Sequence, residues 1–172
     1  MRLALALSLA LLLAGVATSS TRAASERSKL VQKIDRYITE TQTRQTVMGV
    51  RTVSTRRHYR HQRHMGRLRR AVRIWGHRAY QTWQQYRHPP HEAGWWCIHR
   101  YEGSWTDSGD PFWGGLQMDR SFMSTYAPWL LLRKGYANAW TPLEQMWVAE
   151  RAHRSGRGYY PWPNTARYCG LL

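Results

Sequence analysis

With 172 residues and a mass of 20.3 kDa, the chain has room for one packed domain plus an appendage, and not for two large domains. Its 26 Lys and Arg against 10 Asp and Glu leave a formal charge of +16, which points to a polyanionic partner or an anionic surface. A hydrophobic content of 42%, with 10 Trp and 10 Tyr beside only 2 Phe, excludes a wholly disordered chain and favours aromatics that carry a polar edge.

The chain opens on Arg2, an apolar run from Leu3 to Val16, and then Ala17, Thr18, Ser19 and Ser20, which is the order of a secretory leader. A membrane anchor needs ~20 apolar residues, more than this run supplies. Residues 1–23 are therefore read as a signal peptide cleaved after Ala17 or Ala23, and the mature chain as secreted and not transmembrane. Next comes a basic extension over residues 24–90. Between Ser25 and Trp95 there are 16 basic and 4 acidic residues, whereas Trp96 to Leu172 holds 8 and 6. Leu30, Ile34, Tyr37 and Ile38 fall at helical spacing, and so do Leu68, Val72, Trp75, Ala79, Trp83 and Tyr86, predicting two amphipathic helices. From Val50 to Arg63 the chain shows no sustained period and reads as a loop or flexible arm. His58, His61 and His64 lie there among Arg residues with no acid or thiol nearby, so a solvated basic face is the expectation and a metal site is not. Tyr59, Trp75 and Trp83 amid Arg resemble a nucleic-acid surface, but no binding signature accompanies them and nucleic acid is disfavoured for an exported chain. Anionic wall polymers bound through residues 25–95 are the preferred partner.

His88-Pro89-Pro90-His91 marks a boundary, because paired prolines cannot continue a helix. Beyond it, residues 91–172 are expected to form a mainly helical α+β domain. A helix is predicted from Glu92 through Tyr101, stopping at Gly103. Residues 103–115, rich in Gly, Ser, Asp and Pro, suit a hairpin or folded loop. Asp119 is placed to cap a short helix bearing Phe122 and Tyr126. Pro128 and Gly135 bound another. Thr141-Pro142-Leu143-Glu144 is the strongest helix start, combining a cap, a first-turn proline and a Glu three residues on; that helix should run to Ser155 and stop at Gly156. In an oxidising compartment, Cys97 and Cys169 have no third thiol to compete and should form one bridge across the domain.

Two segments carry a resemblance: Trp96-Cys97-Ile98-His99-Arg100-Tyr101-Glu102-Gly103-Ser104-Trp105, and Phe112-Trp113-Gly114-Gly115-Leu116-Gln117-Met118, closed by Pro161-Trp162-Pro163 and Cys169-Gly170. In order and spacing they resemble the transglycosylase-like, resuscitation-promoting-factor branch of the lysozyme superfamily, over about Trp95 to Leu172. The resemblance implies a lysozyme-like fold and a secreted, cell-wall-associated enzyme cleaving the β-1,4 bond between MurNAc and GlcNAc in peptidoglycan glycan strands. It also implies that one Glu, here Glu102, protonates the glycosidic oxygen. The same residue would then take a proton from the substrate's C6 hydroxyl to close a 1,6-anhydro ring, or from water to give hydrolysis.

Glycoside cleavage needs a carboxylic acid shielded beside a sugar oxygen, and Glu102 sits at a helix end near Ile98, Tyr101 and Trp105; by its residues alone it reads as a surface Glu ending a helix, and the resemblance turns it into the candidate acid. Asp107 and Asp110 fall in a turn-rich loop and Asp119 fits a cap, so a single-acid mechanism without metal or cofactor is preferred. Trp105, Trp113, Tyr160 and Trp162 are the candidate sugar-stacking rings. Gln117 is the candidate for hydrogen bonding an N-acetyl or hydroxyl group, with Gly114 and Gly115 permitting close backbone approach. Trp129, Trp140 and Trp147 are assigned to the core. The alternative reading is a non-catalytic wall-binding module.

Overall fold

A computed structural model describes residues 3–55 and 58–172, with side chains from Thr21 onward. The leader reading rests on residues 1–23, of which the side chains up to Ser20 lie outside that description. No helix among the described residues is long and apolar enough to cross a membrane. The described residues are mainly helical, with one two-stranded sheet and one disulfide among them. The chain divides into two compact units, one of residues 1–41 and 53–80, the other of residues 42–52 and 81–172.

Helix α1 runs from Leu3 to Met48. Its end follows from Gly49, whose φ of +67° is a left-handed conformation that glycine adopts without strain. The Gly49 amide donates to the Thr46 carbonyl and the Val50 amide to that of Gln45, the paired closure that satisfies the last carbonyls of a helix. Helix α2 spans Met65–Tyr86. In the first unit, Ile34 and Ile38 of α1 meet Leu68 of α2, all fully buried, with Leu30, Val72 and Trp75 around them. The predicted stripe of α1 and that of α2 from Leu68 to Ala79 are therefore the inward faces, but the α2 stripe does not extend to Trp83, which is 38% exposed while Thr82 beside it is buried. Gly76 lets the Tyr37 ring lie against the α2 backbone, since a Cβ there would stand 3.2 Å from that ring. The stretch expected to be a loop contains a short turn at His58–His61. Tyr59 anchors that turn by packing on the same cluster and donating its hydroxyl to Asp35 at 2.6 Å.

In the second unit the paired prolines precede α3, Glu92–Glu102. A hairpin of β1, Phe112–Trp113, and β2, Met118–Asp119, pairs antiparallel with Phe112 opposite Asp119 and Trp113 opposite Met118. Only β1 falls within the predicted 103–115; β2 lies beyond it, because residues 103–111 are taken up by turns and irregular chain and residues 114–117 form the turn between the strands. Then come α4 (Arg120–Tyr126), α5 (Pro128–Lys134), α6 (Pro142–Ala152) and α7 (Pro163–Tyr168). The Asp119 side chain accepts from the Phe122 amide, and Thr141 and Glu144 form the reciprocal capping box. Helix α6 ends at Ala152, short of the expected Ser155, and a wider turn over His153–Arg157 follows, with Gly156 at φ +95°. The core gathers Trp95 and Ile98 of α3, Leu116 and Met118 of the hairpin, Phe122 and Met123 of α4, Leu130 of α5, Met146 and Val148 of α6, and Trp162. Trp140 and Trp147 are buried as expected, and Trp129 is partly buried.

Candidate functional site

Glu102 is the last residue of α3, where the helix stops because Gly103 takes φ +148°. Its carboxylate is half-buried and accepts a hydrogen bond from the Thr165 hydroxyl, in the first turn of α7. Thr165 is itself 8% exposed, so the Thr165 side of this part-buried contact is shielded from water. The Cys97–Cys169 disulfide links α3 to the residue just beyond α7, with the two Cα atoms 6.0 Å apart. The predicted bridge is thus present, and it ties together the two elements that carry Glu102 and Thr165.

Glu102 opens on a groove of about 250 Å³ lined by Phe112, Gln117, Pro161, Trp162, Pro163, Asn164 and Thr165. Glu102 is the one carboxylate in that lining. Trp162 is buried and donates its indole N–H to the Leu116 carbonyl at 2.6 Å, so its ring is fixed as a wall. Gln117 has φ +46°, a left-handed backbone rarely taken by a residue with a side chain. Its amide Nε2 donates to Asp107 Oδ2 at 2.8 Å and to the Gly114 carbonyl at 3.0 Å. Both amide hydrogens are therefore engaged, and the side chain has only its oxygen, an acceptor, left for a partner. Asp107 in turn accepts the Gly109 amide through Oδ1. It orients Gln117 and closes its own turn.

The other sequence candidates are distributed differently. Adjacent strand residues point to opposite faces, so Phe112 faces the Glu102 groove while Trp113 faces a second recess. That recess, about 580 Å³, is lined by Asp110, Pro111, Trp113, Asp119, Arg120, Ser121 and Tyr136. There Trp113 stacks on Tyr136, with ring centres 4.2 Å apart and planes 9° from parallel. Trp105 lies outside both linings, stacked at 3.9 Å on His99 and set edge-on to Trp96. Gly115 makes that stack possible, since a Cβ would come within 2.7 Å of the Trp105 ring. Tyr160 is 71% exposed and lines neither recess. Asp119 is committed to its cap, and the Phe122 amide holds its carboxyl below the usual range.

Several contributors escaped the sequence reading. Thr165, Asn164 and Phe112 line the groove, and Tyr136 completes the Trp113 stack. The available signal was position: Asn164 and Thr165 directly follow the Trp162-Pro163 element. Gln145 is fully buried in α6 and has a supporting role. Its oxygen accepts the Gly115 amide, and its nitrogen donates to the carbonyls of Trp105, Ala137 and Trp140. A Cβ at Gly114 would collide with that amide at 2.4 Å. Elsewhere, Glu150 is fully buried and accepts from the Trp95 indole at 2.7 Å and the His91 amide at 2.8 Å, with the His91 ring at 3.1 Å. Among the described residues, no group of three or more His, Cys, Asp or Glu side chains is placed to hold a metal ion.

No family model, no curated protein and no solved structure matches this chain.

Proposed function

We propose that the second unit is a lysozyme-like, transglycosylase-like domain that cleaves the β-1,4 bond between MurNAc and GlcNAc in peptidoglycan, with Glu102 as general acid and then base, in a chain exported by its leader. The observation that carries this reading is the placement of Glu102 as the lone carboxylate of a groove whose walls are an indole, a phenyl ring and a fixed amide oxygen. A protonated Glu102 delivers its proton to the glycosidic oxygen as the bond to the anomeric carbon breaks. The resulting carboxylate draws a proton from the substrate's C6 hydroxyl, which closes onto the anomeric carbon, or from a water that attacks there. Thr165 orients the carboxylate through its hydroxyl. Gln117, with both amide hydrogens occupied, accepts from a substrate N–H or O–H.

Glu102→Gln tests the reading, because it keeps shape and hydrogen-bonding capacity while deleting the transferable proton. Cleavage of purified peptidoglycan, followed by mass analysis, should fall by about 10² to 10⁴-fold with the circular dichroism spectrum unchanged. Full activity in Glu102→Gln removes the residue from this role. The aromatic recess of Trp113 and Tyr136 favours a second reading, a non-catalytic wall-binding module, which is adopted if the parent protein cleaves nothing at any pH.

A further inference from the structure

The first unit has a surface that glycan cleavage does not use. Its described residues include twelve Lys and Arg but three carboxylates, and each carboxylate is engaged: Glu26 with Arg69 at 2.6 Å, Asp35 with Arg60 at 2.8 Å and Glu40 with Arg36 at 3.8 Å. Helix α2 contains no acid at all. Leu68, Val72, Trp75 and Ala79 of α2 face inward, buried or half-buried. On the opposite side lie Arg67, Arg70, Arg73, Ile74, His77 and Tyr80, all exposed and spaced by helical turns. Among the described residues, none of Arg67, Arg70 and Arg73 has a carboxylate partner. Ile74 is 45% exposed in the midst of these guanidiniums, and Tyr80 is 58% exposed further along the same face.

We propose that this outer face of α2 docks the protein onto a bilayer surface rich in anionic phospholipid headgroups. Arg67, Arg70 and Arg73 supply forked donors that match phosphate oxygens, and no neighbouring acid competes for them. Ile74 and Tyr80 decide between possible anions. A hydrated polyanion in solution gains from the charges alone and leaves an exposed isoleucine in water. At a bilayer, apolar groups lie directly beneath the phosphates, so Ile74 leaves water there while the flanking arginines stay at the headgroups, and a tyrosine suits the same interface. The inference concerns a surface apart from the Glu102 groove and holds whether or not that groove cleaves glycan.

The test is flotation of the full chain with phosphatidylcholine vesicles, with and without phosphatidylglycerol. The parent should float only with the anionic lipid. Replacing Arg67, Arg70 and Arg73 together by Gln should lower partitioning on the order of a hundredfold, from about 1 kcal/mol for each basic residue at an anionic surface. Gln is nearly as good a helix former as Arg, and an unchanged circular dichroism spectrum confirms that the unit stays folded. A control triple, Arg51→Gln, Arg133→Gln and Arg167→Gln, removes the same charge from exposed positions of the second unit and should retain most binding. An environment-sensitive dye on Ile74→Cys reports directly, since Cys97 and Cys169 are bridged and cannot take the label. Its emission should shift to the blue on anionic vesicles alone. Equal losses in both triples, flotation with neutral lipid, or an unmoved dye overturns the proposal. So does a face whose triple variant loses retention on isolated cell walls while the parent never floats with lipid, because the occupant is then a wall polymer. Cleavage of small soluble glycan fragments, measured in the same variants, reports separately on the Glu102 reading.

Discussion

The two units of this chain reach order by different means. The first surrounds three fully or almost fully buried side chains, Ile34, Ile38 and Leu68, with arginines and crosses its surface with ion pairs. Exposed pairs of that kind contribute little, typically 0 to ~1 kcal/mol each. The second unit buries a broad aromatic and aliphatic cluster, closes it with a disulfide, and threads it with buried polar groups such as Gln145 and Glu150 that find partners, while the Trp129 indole N–H is left without one. A chemical site needs groups held to fractions of an ångström, and only the second unit has the packing to hold them. The first unit keeps its charge on the outside, where a surface can meet it.

The largest expected effect is on the second unit. Replacing Cys97 and Cys169 by Ser opens a loop with a sequence separation of 72 and should cost about 4 kcal/mol in urea denaturation by the chain-entropy estimate. A much smaller loss would mean that the aromatic cluster alone orders α3 against α7. The first unit is probed by Leu68→Ala, which empties a site at 0% exposure and should cost about 3 kcal/mol. Limited proteolysis should then cut the first unit faster while small soluble glycans are still cleaved at the parent rate. Loss of that cleavage would erase the distinction between the units. A finer probe is Asp119→Ala, which removes the cap of α4 and should cost about 1 kcal/mol near neutral pH. Because the folded state holds this carboxyl below its ordinary value of 3.8, the difference between parent and variant should fade as pH drops below that value, read from paired thermal melts.

The smallest expected effect concerns His153. Burial, followed by the charge of His91, pushes its pKa below the ordinary 6.5, with Glu150 pulling the other way. Its ring meets His91 at 4.1 Å, Tyr159 at 4.8 Å and the Trp95 edge at 6.2 Å. The unfolded chain thus takes up a proton near pH 6.5 that the folded chain resists, and stability declines as pH falls through that value. Thermal melts of His153→Gln should show a shallower decline than the parent. An identical slope would assign the acid sensitivity to another group.

Local signals in the sequence translated well where one residue type has one physical use. The capping box at Thr141 and Glu144, the Asp119 cap, the first-turn prolines at 128 and 142, and the glycine stops at 103 and 135 all act where their chemistry places them. The apolar stripes of α1 and α2 were legible for the same reason. The groove was legible in part. Glu102, Gln117 and Trp162 come together, but Trp105 and Tyr160 do not join them. An aromatic ring serves equally as a wall, a core filler or an exposed surface, and sequence carries no statement of which. Trp105 is drawn onto His99 by stacking, and the period-two geometry of a strand turns Trp113 away from its neighbour Phe112. Thr165 and Gln145 went unread because their partners are 63 and 30 to 40 residues or only 5 to 8 residues away, through folds of the chain that no spacing rule reveals.

The buried Gln145 amide has a consequence for how the second unit opens. Its four partners belong to separate stretches of chain, the turn after α3, the hairpin and the segment leading into α6. Its nitrogen shares two hydrogens among three carbonyls and its oxygen holds the Gly115 amide, so lifting away the hairpin, or the Ala137 and Trp140 carbonyls together, strands a donor or acceptor in a space that water does not reach, and an unsatisfied group of that kind costs about 1 to 3 kcal/mol. Excursions of a single loop are therefore penalised beyond the bond they break, and the low-energy way to open is for the stretches to leave together. One side chain, 0% exposed and far from any chemistry of its own, thereby couples the opening of the hairpin to that of the segment leading into α6.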